Sequence, residues 1–535
     1  MVIECKEKCD VLVIGAGIAG ISAAIQAAKC GSSVVLTSST AIFSGSSFFP
    51  GTWGLGLIGP EDEKDEADLE ESIARVGCGM TKPEIVKTFV HNINPSIYDL
   101  ESRGVKLRTA EKQDEKEFIP CFDHKRRNWN GLEAESMRAV FKKELLEYKV
   151  KLCPYYEALE LIKNDKRVCG AVFGHKDAIL AIRSKAVILA TGGYGGLFKN
   201  YLTTSDIMGM GHAIALRAGA SLINMEFMQM MPGFISPSPK TVFNEKTFRF
   251  SSFSDDKGNN IFKNIQDYTE LLEQRSTHGP FTSACMDREI DFIIAKEELK
   301  GGVYVRYSDE MKNNPPEFIK TYFEWLKDKK GLTFNDTVSV GIFAHAANGG
   351  IKIESDASTE VSGLYACGEV TGGMHGADRI GGLSSANGLV FGRIAGNSAA
   401  IDSNTETISD EKIILKAHYV FDYSSKLAML RKIMTENAMI SRNEIGLNKA
   451  INFCKQTLEE INRSTENLSD KAKVIEYYRL SANLFTAMAV LKPAILRKES
   501  RGSHYREDYP EIIKSEDKRI CIFEKDGKIK AMYER

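Results

Sequence analysis

Residues 9–29 read CDVLVIGAGIAGISAAIQAAK, and three local signals follow one another in that stretch. Cys9–Ile14 is a short, largely β-branched run and predicts a buried strand. Gly15, Gly17 and Gly20 come next, spaced as GAGIAG, and Ile18–Lys29 is an alanine-rich helical stretch. Strand, glycine turn and helix are the order that a dinucleotide phosphate site requires. Gly15 permits the tight turn, Gly17 lets the backbone approach a pyrophosphate, and Gly20 lets helix and strand touch. The helix N-terminus then offers free N–H groups and a partial positive charge to the phosphates. A glycine-rich turn without a ligand is the plainer alternative.

The following strand, Ser33–Leu36, ends in TSST. A dinucleotide fold commonly ends this strand in an acid for the adenosine ribose; here Thr37 and Ser38 occupy the position and carry no charge. Two later segments extend the pattern. AVILATGGYGGLF (Ala186–Phe198) and GLYACGEVTGG (Gly363–Gly373) both run from a strand into glycines, the second with Glu369 amid small residues. Together they predict one nucleotide-binding unit assembled from distant pieces. From Ser384 onward, small and apolar residues suit a helix whose first turn meets a ligand.

Composition narrows the setting. A length of 535 residues predicts two to four packed units. With 70 Lys plus Arg against 72 Asp plus Glu the net charge is −2, which removes the usual reason to expect nucleic-acid binding. No stretch approaches the length of an uncharged membrane span, so membrane association would need a partner. Charged residues run straight into the first strand and leave no room for a signal peptide. The 11 cysteines form no CxxC pair, which argues against a cysteine-built iron–sulfur site or a disulfide framework. A reduced, cytoplasmic chain is the expectation.

With these landmarks in order, the chain resembles the flavoprotein subunits of succinate dehydrogenase and fumarate reductase, together with L-aspartate oxidase. The GxGxxG start, the ATGG strand end, the GLYACGEVTGGMHGADRIGG segment and RGSHYREDYP (Arg501–Pro510) carry the resemblance. It implies an α/β fold: a Rossmann-like FAD-binding domain with an inserted α+β capping domain and a C-terminal helical domain. It also implies FAD, with the diphosphate at Gly15, Gly17 and Gly20, the adenosine end near Ser38, and Gly192 at the ATGG turn. Glu369 would lie along the ribityl or ribose part, with Ser384 and Ser385 toward the flavin. In SGSSFFPGTWG (Ser44–Gly54), Ser46 stands where respiratory members carry a histidine bonded to the flavin, so non-covalent FAD is expected.

The same resemblance implies hydride exchange between flavin and a carboxylate-bearing C–C bond. Reduced flavin gives hydride to one carbon of a polarised double bond and a positioned acid protonates the other. Arg288, in TSACMDREIDF, is the expected proton carrier, although Ser283 replaces the family's first arginine and DRE also reads as a surface helix triplet. His345, in GIFAHAANGGI, would hold a substrate carboxylate, or else be a satisfied core histidine. Arg379, in HGADRIGG, would clamp a carboxylate. His375 would orient the loop or a flavin carbonyl, and Asp378, where the family has Asn, could pair with Arg379 and weaken its grip. Met231, in MEFMQMMPGF, replaces a family histidine and leaves one side of the pocket apolar; Phe227, Met230 and Phe234 beside it read equally as core. Arg501, His504 and Arg506 are expected in ion pairs at a domain seam rather than on substrate. An amino-acid oxidase resembling L-aspartate oxidase is the rival activity, and a flavoprotein subunit serving an iron–sulfur partner is the third. No metal site is expected: His124 and Asp123 lie in a basic DHKRR stretch read as a solvated loop.

The expected organisation runs from an FAD-binding part at 1–236 to a cap at 237–343, then a second FAD-binding part at 344–402. Helices follow at 411–510, and a tail at 511–535 suggests a hairpin around Asp526–Gly527. Glu61–Glu71, with eight acids and one lysine, reads as a solvated loop and helix start. Leu447, Ile451, Cys454, Leu458 and Ile461 predict one apolar helix face.

Overall fold

A computed structural model describes residues 1–112, 115–164, 167–408, 412–415, 422–463 and 470–534. The opening stretch forms strand β1 (Cys5–Ile14), helix α1 (Ile18–Lys29) and strand β2 (Val34–Ser38). Strands β3 (Lys151–Pro154), β4 (Glu157–Lys163), β5 (Val168–His175) and β6 (Ala178–Leu189) follow. They form a sheet in the order β3–β2–β1–β6–β5–β4. The carboxyl half of β6 also pairs in parallel with Leu364–Ala366. Val11–Ile14 lies between Val34–Thr37 and Ala186–Leu189, all parallel, which explains the continuous apolar runs: both faces are covered. The ends at Ile14, Ser38 and Leu189 open on one crevice, the usual ligand position in such sheets.

Close backbone packing fixes the turn after β1. Gly15 has φ +116°, and a Cβ there would sit 2.2 Å from the Ala190 carbonyl oxygen. A Cβ on Gly20 would sit 1.9 Å from the Gly15 oxygen. Helix α1 then packs against the long helix Leu383–Ser403 through Gly392 and Gly396, whose added Cβ atoms would meet the Ala19 and Ala23 oxygens at 2.6 and 2.4 Å.

The inserted cap is built on a second, antiparallel sheet. Its strands are β7 (Met228–Ser236), β8 (Ser251–Ser254), β9 (Val303–Tyr307) and β10 (Val338–Ala347), in the order β7–β10–β9–β8. The sheet therefore takes in residues on both sides of positions 236 and 344. The register of β7 on β10 slips between Gln229, opposite Ala346, and Met230, opposite Ala344. His345 is the extra residue of that bulge, and bulges re-aim side chains.

C-terminal helices span Tyr423–Ala438, Glu444–Asn462 and Lys471–Leu496. Leu447, Ile451, Cys454 and Ile461 are buried on one face, with Leu458 half-buried beside them. The expected start of this region at 411 lies outside the described residues. Strands Ile520–Lys525 and Lys528–Tyr533 form a hairpin whose turn residues Asp526 and Gly527 both have positive φ, and the first strand pairs with Leu222–Ile223. The chain end thus returns to the nucleotide-binding unit. Among the described residues, no helix is long and apolar enough to cross a membrane.

Two surface expectations need correction. Arg127 is 2% exposed and its guanidinium is shared by Asp65, Asp68 and Asp123, so the DHKRR loop is pinned down rather than solvated. The acidic run starts a helix at Glu63, capped by Asp62, but Asp65 faces inward to Arg127 because that buried cation needs carboxylates.

Candidate active site

One cavity of about 640 Å³ opens at the carboxyl ends of the sheet. Gly15, Gly17, Ser38, Ser46, Gly192, Glu369, Ser384 and Ser385 all line it, and Gly20 supports it through Gly15. The fit to FAD rests on shape and donors. Gly17 keeps its nearest protein neighbour, Ser47 Oγ, 3.5 Å from where a Cβ would be, so the side toward the cavity stays clear for phosphate. Ser384 and Ser385 occupy the first turn of a helix, where N–H groups are unpaired. Ser38 ends β2, and its carbonyl accepts from Tyr156 N at 2.7 Å beside the polar end of the cavity at Glu157. Ser46 Oγ lies 2.7 Å from Thr203 Oγ1. Glu369 accepts from Ala347 N at 3.0 Å, and burial raises its pKa despite nearby Arg379.

The other end is roofed by aromatic rings: Trp53 packs edge-on against Phe318 and Tyr322, with centroids at 4.8 and 5.5 Å. Here the wall carries Arg379, His345 and Met231. Arg379 is 8% exposed, and its Nε donates to Gln229 Oε1 at 3.0 Å. Burial lowers its pKa while Glu369 opposes the shift. Burial, reinforced by Arg379, pushes the His345 imidazole down to about 3, so it is neutral at physiological pH. Met231 clusters with Leu202 and Phe343, giving the wall an apolar side.

Three expected site residues stand elsewhere. Arg288 is absent from the cavity wall: it opens a helix, its Nη1 donates to the Ser283 carbonyl at 2.7 Å, and its guanidinium lies over Tyr505. The pairing expected between Asp378 and Arg379 is also corrected. Asp378 turns the other way and accepts from Thr282 Oγ1 at 2.7 Å, with its pKa held well up by burial. His375 is buried behind the wall, where its loop packs against Gly77 through an Ala377 N to Gly77 O bond of 3.0 Å.

Arg501, His504 and Arg506 form a buried seam away from the cavity. Arg501 pairs with Glu499 and Asp517, Arg506 with Asp508, and His504 Nδ1 lies 2.6 Å from Arg442 Nη1.

Sequence reading missed Glu245, Lys246, Cys121 and Gln229. The first three line the cavity, with Cys121 Sγ donating to Glu245 Oε1 at 3.0 Å and Lys246 Nζ to the Ile119 carbonyl at 3.3 Å. Glu245 and Met231 converge on one spot: a Cβ on Gly279 would meet Glu245 Oε2 at 3.5 Å and Met231 Cε at 3.7 Å. The nearest available signal was Glu245–Lys246 inside an otherwise aromatic stretch.

Comparison with known proteins gives this cavity its cofactor. Residues 10–385 match the FAD binding domain family, and residues 428–530 match the fumarate reductase flavoprotein C-terminal family. An uncharacterized FAD-dependent oxidoreductase from Methanocaldococcus jannaschii is 30% identical, over 94% of each chain. A component of the CoM/CoB fumarate reductase from Methanothermobacter marburgensis is 28% identical, over 94% of this chain and 95% of that one. A quinol–fumarate reductase structure superposes with a TM-score of 0.80 at 21% identity, covering 99% of this chain and 98% of that one, which shows the shared fold. FAD is held without a covalent bond: Ser46 lacks the ring nitrogen of a histidyl linkage. The chain belongs to the family of FAD-dependent oxidoreductases that is related to succinate dehydrogenase, fumarate reductase and L-aspartate oxidase flavoproteins.

Proposed function

We propose that the chain exchanges hydride between its flavin and a carbon–carbon bond adjoining a carboxylate, with Arg379 as the clamp. The observation that carries this reading is the state of Arg379. Among the described residues its guanidinium is engaged through Nε, on Gln229, so both terminal nitrogens can fork onto a carboxylate within the cavity. Bound FAD supplies a reversible hydride donor and acceptor. His345 serves as a neutral hydrogen-bonding group beside Arg379, since its low pKa withholds a proton at neutral pH. Glu245, in the wall beside Met231, holds and returns the proton at the second carbon, in place of the role expected for Arg288. Met231 and Leu202 give the far side of the substrate apolar contact. Electrons given to substrate must come from outside the chain, which extends the reading to a redox partner such as an iron–sulfur protein.

The test is to titrate the oxidised holoprotein with short saturated and unsaturated carboxylates under anaerobic conditions and follow the flavin absorption. The wild type should respond saturably. Arg379→Met should lose the response while keeping its flavin, a drop of about 3 kcal/mol or roughly a hundredfold in affinity. An unchanged titration in that variant would remove the clamp from the account.

A further inference from the structure

Outside the flavin cavity, the cap segment between residues 278 and 288 gathers one nitrogen, one sulfur and one oxygen ligand. The ligand atoms of His278, Cys285 and Asp287 all lie within 4.8 Å of one another. None of the three lines the cavity.

The contacts that would orient these ligands are already in place. His278 Nδ1 lies 2.7 Å from the Pro280 carbonyl oxygen, and a carbonyl only accepts, so Nδ1 carries a proton. Nε2 is the inward nitrogen, 2.7 Å from Asp287 Oδ2; a carboxylate oxygen also only accepts, so this contact is an Nε2–H hydrogen bond that metal binding must replace. A ring N–H tied to a backbone carbonyl, with the other nitrogen turned inward, is the usual arrangement of a metal-binding histidine. The ring is further fixed by Phe122, stacked at 4.9 Å and 17°. Arg275 holds the turn beneath it, donating to the His278 and Gly279 carbonyls while paired with Asp291. Asp287 is 0% exposed, and its Oδ1 has no hydrogen-bond partner. A buried carboxylate oxygen left unpaired is costly and calls for a cation.

We propose that His278 Nε2, Cys285 Sγ and the Asp287 carboxylate bind one zinc-type divalent ion. Mixed imidazole, thiolate and carboxylate donors suit a borderline-soft, tetrahedral cation, with water in the fourth position. Binding releases the Cys285 thiol proton and the His278 Nε2 proton to solvent, which leaves thiolate and neutral imidazole as ligands. The charges of ion, thiolate and carboxylate then cancel, which suits a buried site. Cys285 is half-buried, which provides the way in. The role is structural: the segment is joined to the nucleotide-binding unit by Thr282 to Asp378 at 2.7 Å and to the C-terminal seam by Ser283 N to the Gly502 carbonyl at 2.7 Å. An ion at its base would stiffen the piece of cap that lines the cavity at Gly279 and Pro280.

The full-length flavin-loaded protein should carry one zinc per chain by elemental analysis. After exchange with cobalt(II) it should show a thiolate-to-cobalt charge-transfer band. Cys285→Ser and His278→Gln should lose the band, and Cys30→Ser, on the exposed end of α1, should keep it. Because those variants could misfold, alkylation of the unmutated protein gives a second reading: Cys285 should label several-fold faster after chelation. Metal well below one per chain with no cobalt band, a band that survives Cys285→Ser, or equal labelling with and without chelator would each overturn the site.

Discussion

The two ends of the cavity are made differently. At the phosphate end, shape is set by backbone: Gly15 and Gly20 are fixed by carbonyl oxygens of Ala190 and Gly15 that leave no room for a Cβ. At the roofed end, the chemistry is set by side chains from β7, β10, the cap and the 375–382 loop, brought together over long sequence distances. The first end is built around a consecutive strand, glycine turn and helix packed against Ala190, and tolerates almost no change there. The second depends on register and on a bulge, and here single side chains such as Met231, packed with Leu202 and Phe343, set the character of the wall.

The largest expected effect breaks the first end. Gly20→Ala places a Cβ 1.9 Å from the Gly15 oxygen, so the helix must leave the turn. A loss of about 3 kcal/mol or more is expected, with little flavin copurifying. Gly17→Ala has 3.5 Å of room on the protein side and should fold normally while weakening FAD retention, because it adds a methyl to a residue that lines the cavity. Flavin-to-protein ratio and thermal melting separate the two, and equal behaviour would refute the assignment of those glycines.

At the other end, Glu245→Gln should keep flavin and fold but lower turnover by about 10²–10³. Turnover near wild type would return the proton role to another group.

The smallest effect concerns stability under acid. His212 is 0% exposed, and burial, only partly opposed by a hydrogen bond with the Gly209 backbone, takes its pKa down to about 3. Its folded pKa lies below its unfolded value, so the unfolded chain binds the extra proton and stability falls as pH drops from about 6.5 toward 3. Glu369 and Asp378, whose pKa values are raised, act in the opposite direction at their own pKa range. Comparing His212→Leu with wild type isolates the histidine. The variant should lose about 2 kcal/mol less than wild type between pH 7 and pH 5, read from denaturant melts; parallel curves would refute it.

The backbone-built end is legible in the sequence because each requirement there is local: strand, glycine spacing and helix follow one another in the chain. Ser38 can be named because it ends a strand and Glu369 because it stands amid small residues beside a glycine, whereas Ser46 comes from the family resemblance alone. The side-chain end is legible only in part. Glu245 and Gln229 reach the site through the cap connection and the pairing of β7 with β10, which no local pattern announces. Arg288 stands out in its segment, but its direction depends on a helix start whose nearest acceptor is the Ser283 carbonyl. Asp378 reads as a partner for its neighbour, yet adjacent residues in that loop face opposite ways, and Thr282 of the cap takes the carboxylate.

The central claim is that the clamp at Arg379 presents a carboxylate-bearing C–C bond to the flavin. Its most direct test is to reduce the bound flavin anaerobically and mix it with α,β-unsaturated monocarboxylates, dicarboxylates and the matching amides. The account predicts reoxidation by the acids, with one saturated product per flavin, and inertness toward the amides. Equal reoxidation by amides, or none by any acid while oxygen still reoxidises the flavin, would contradict it.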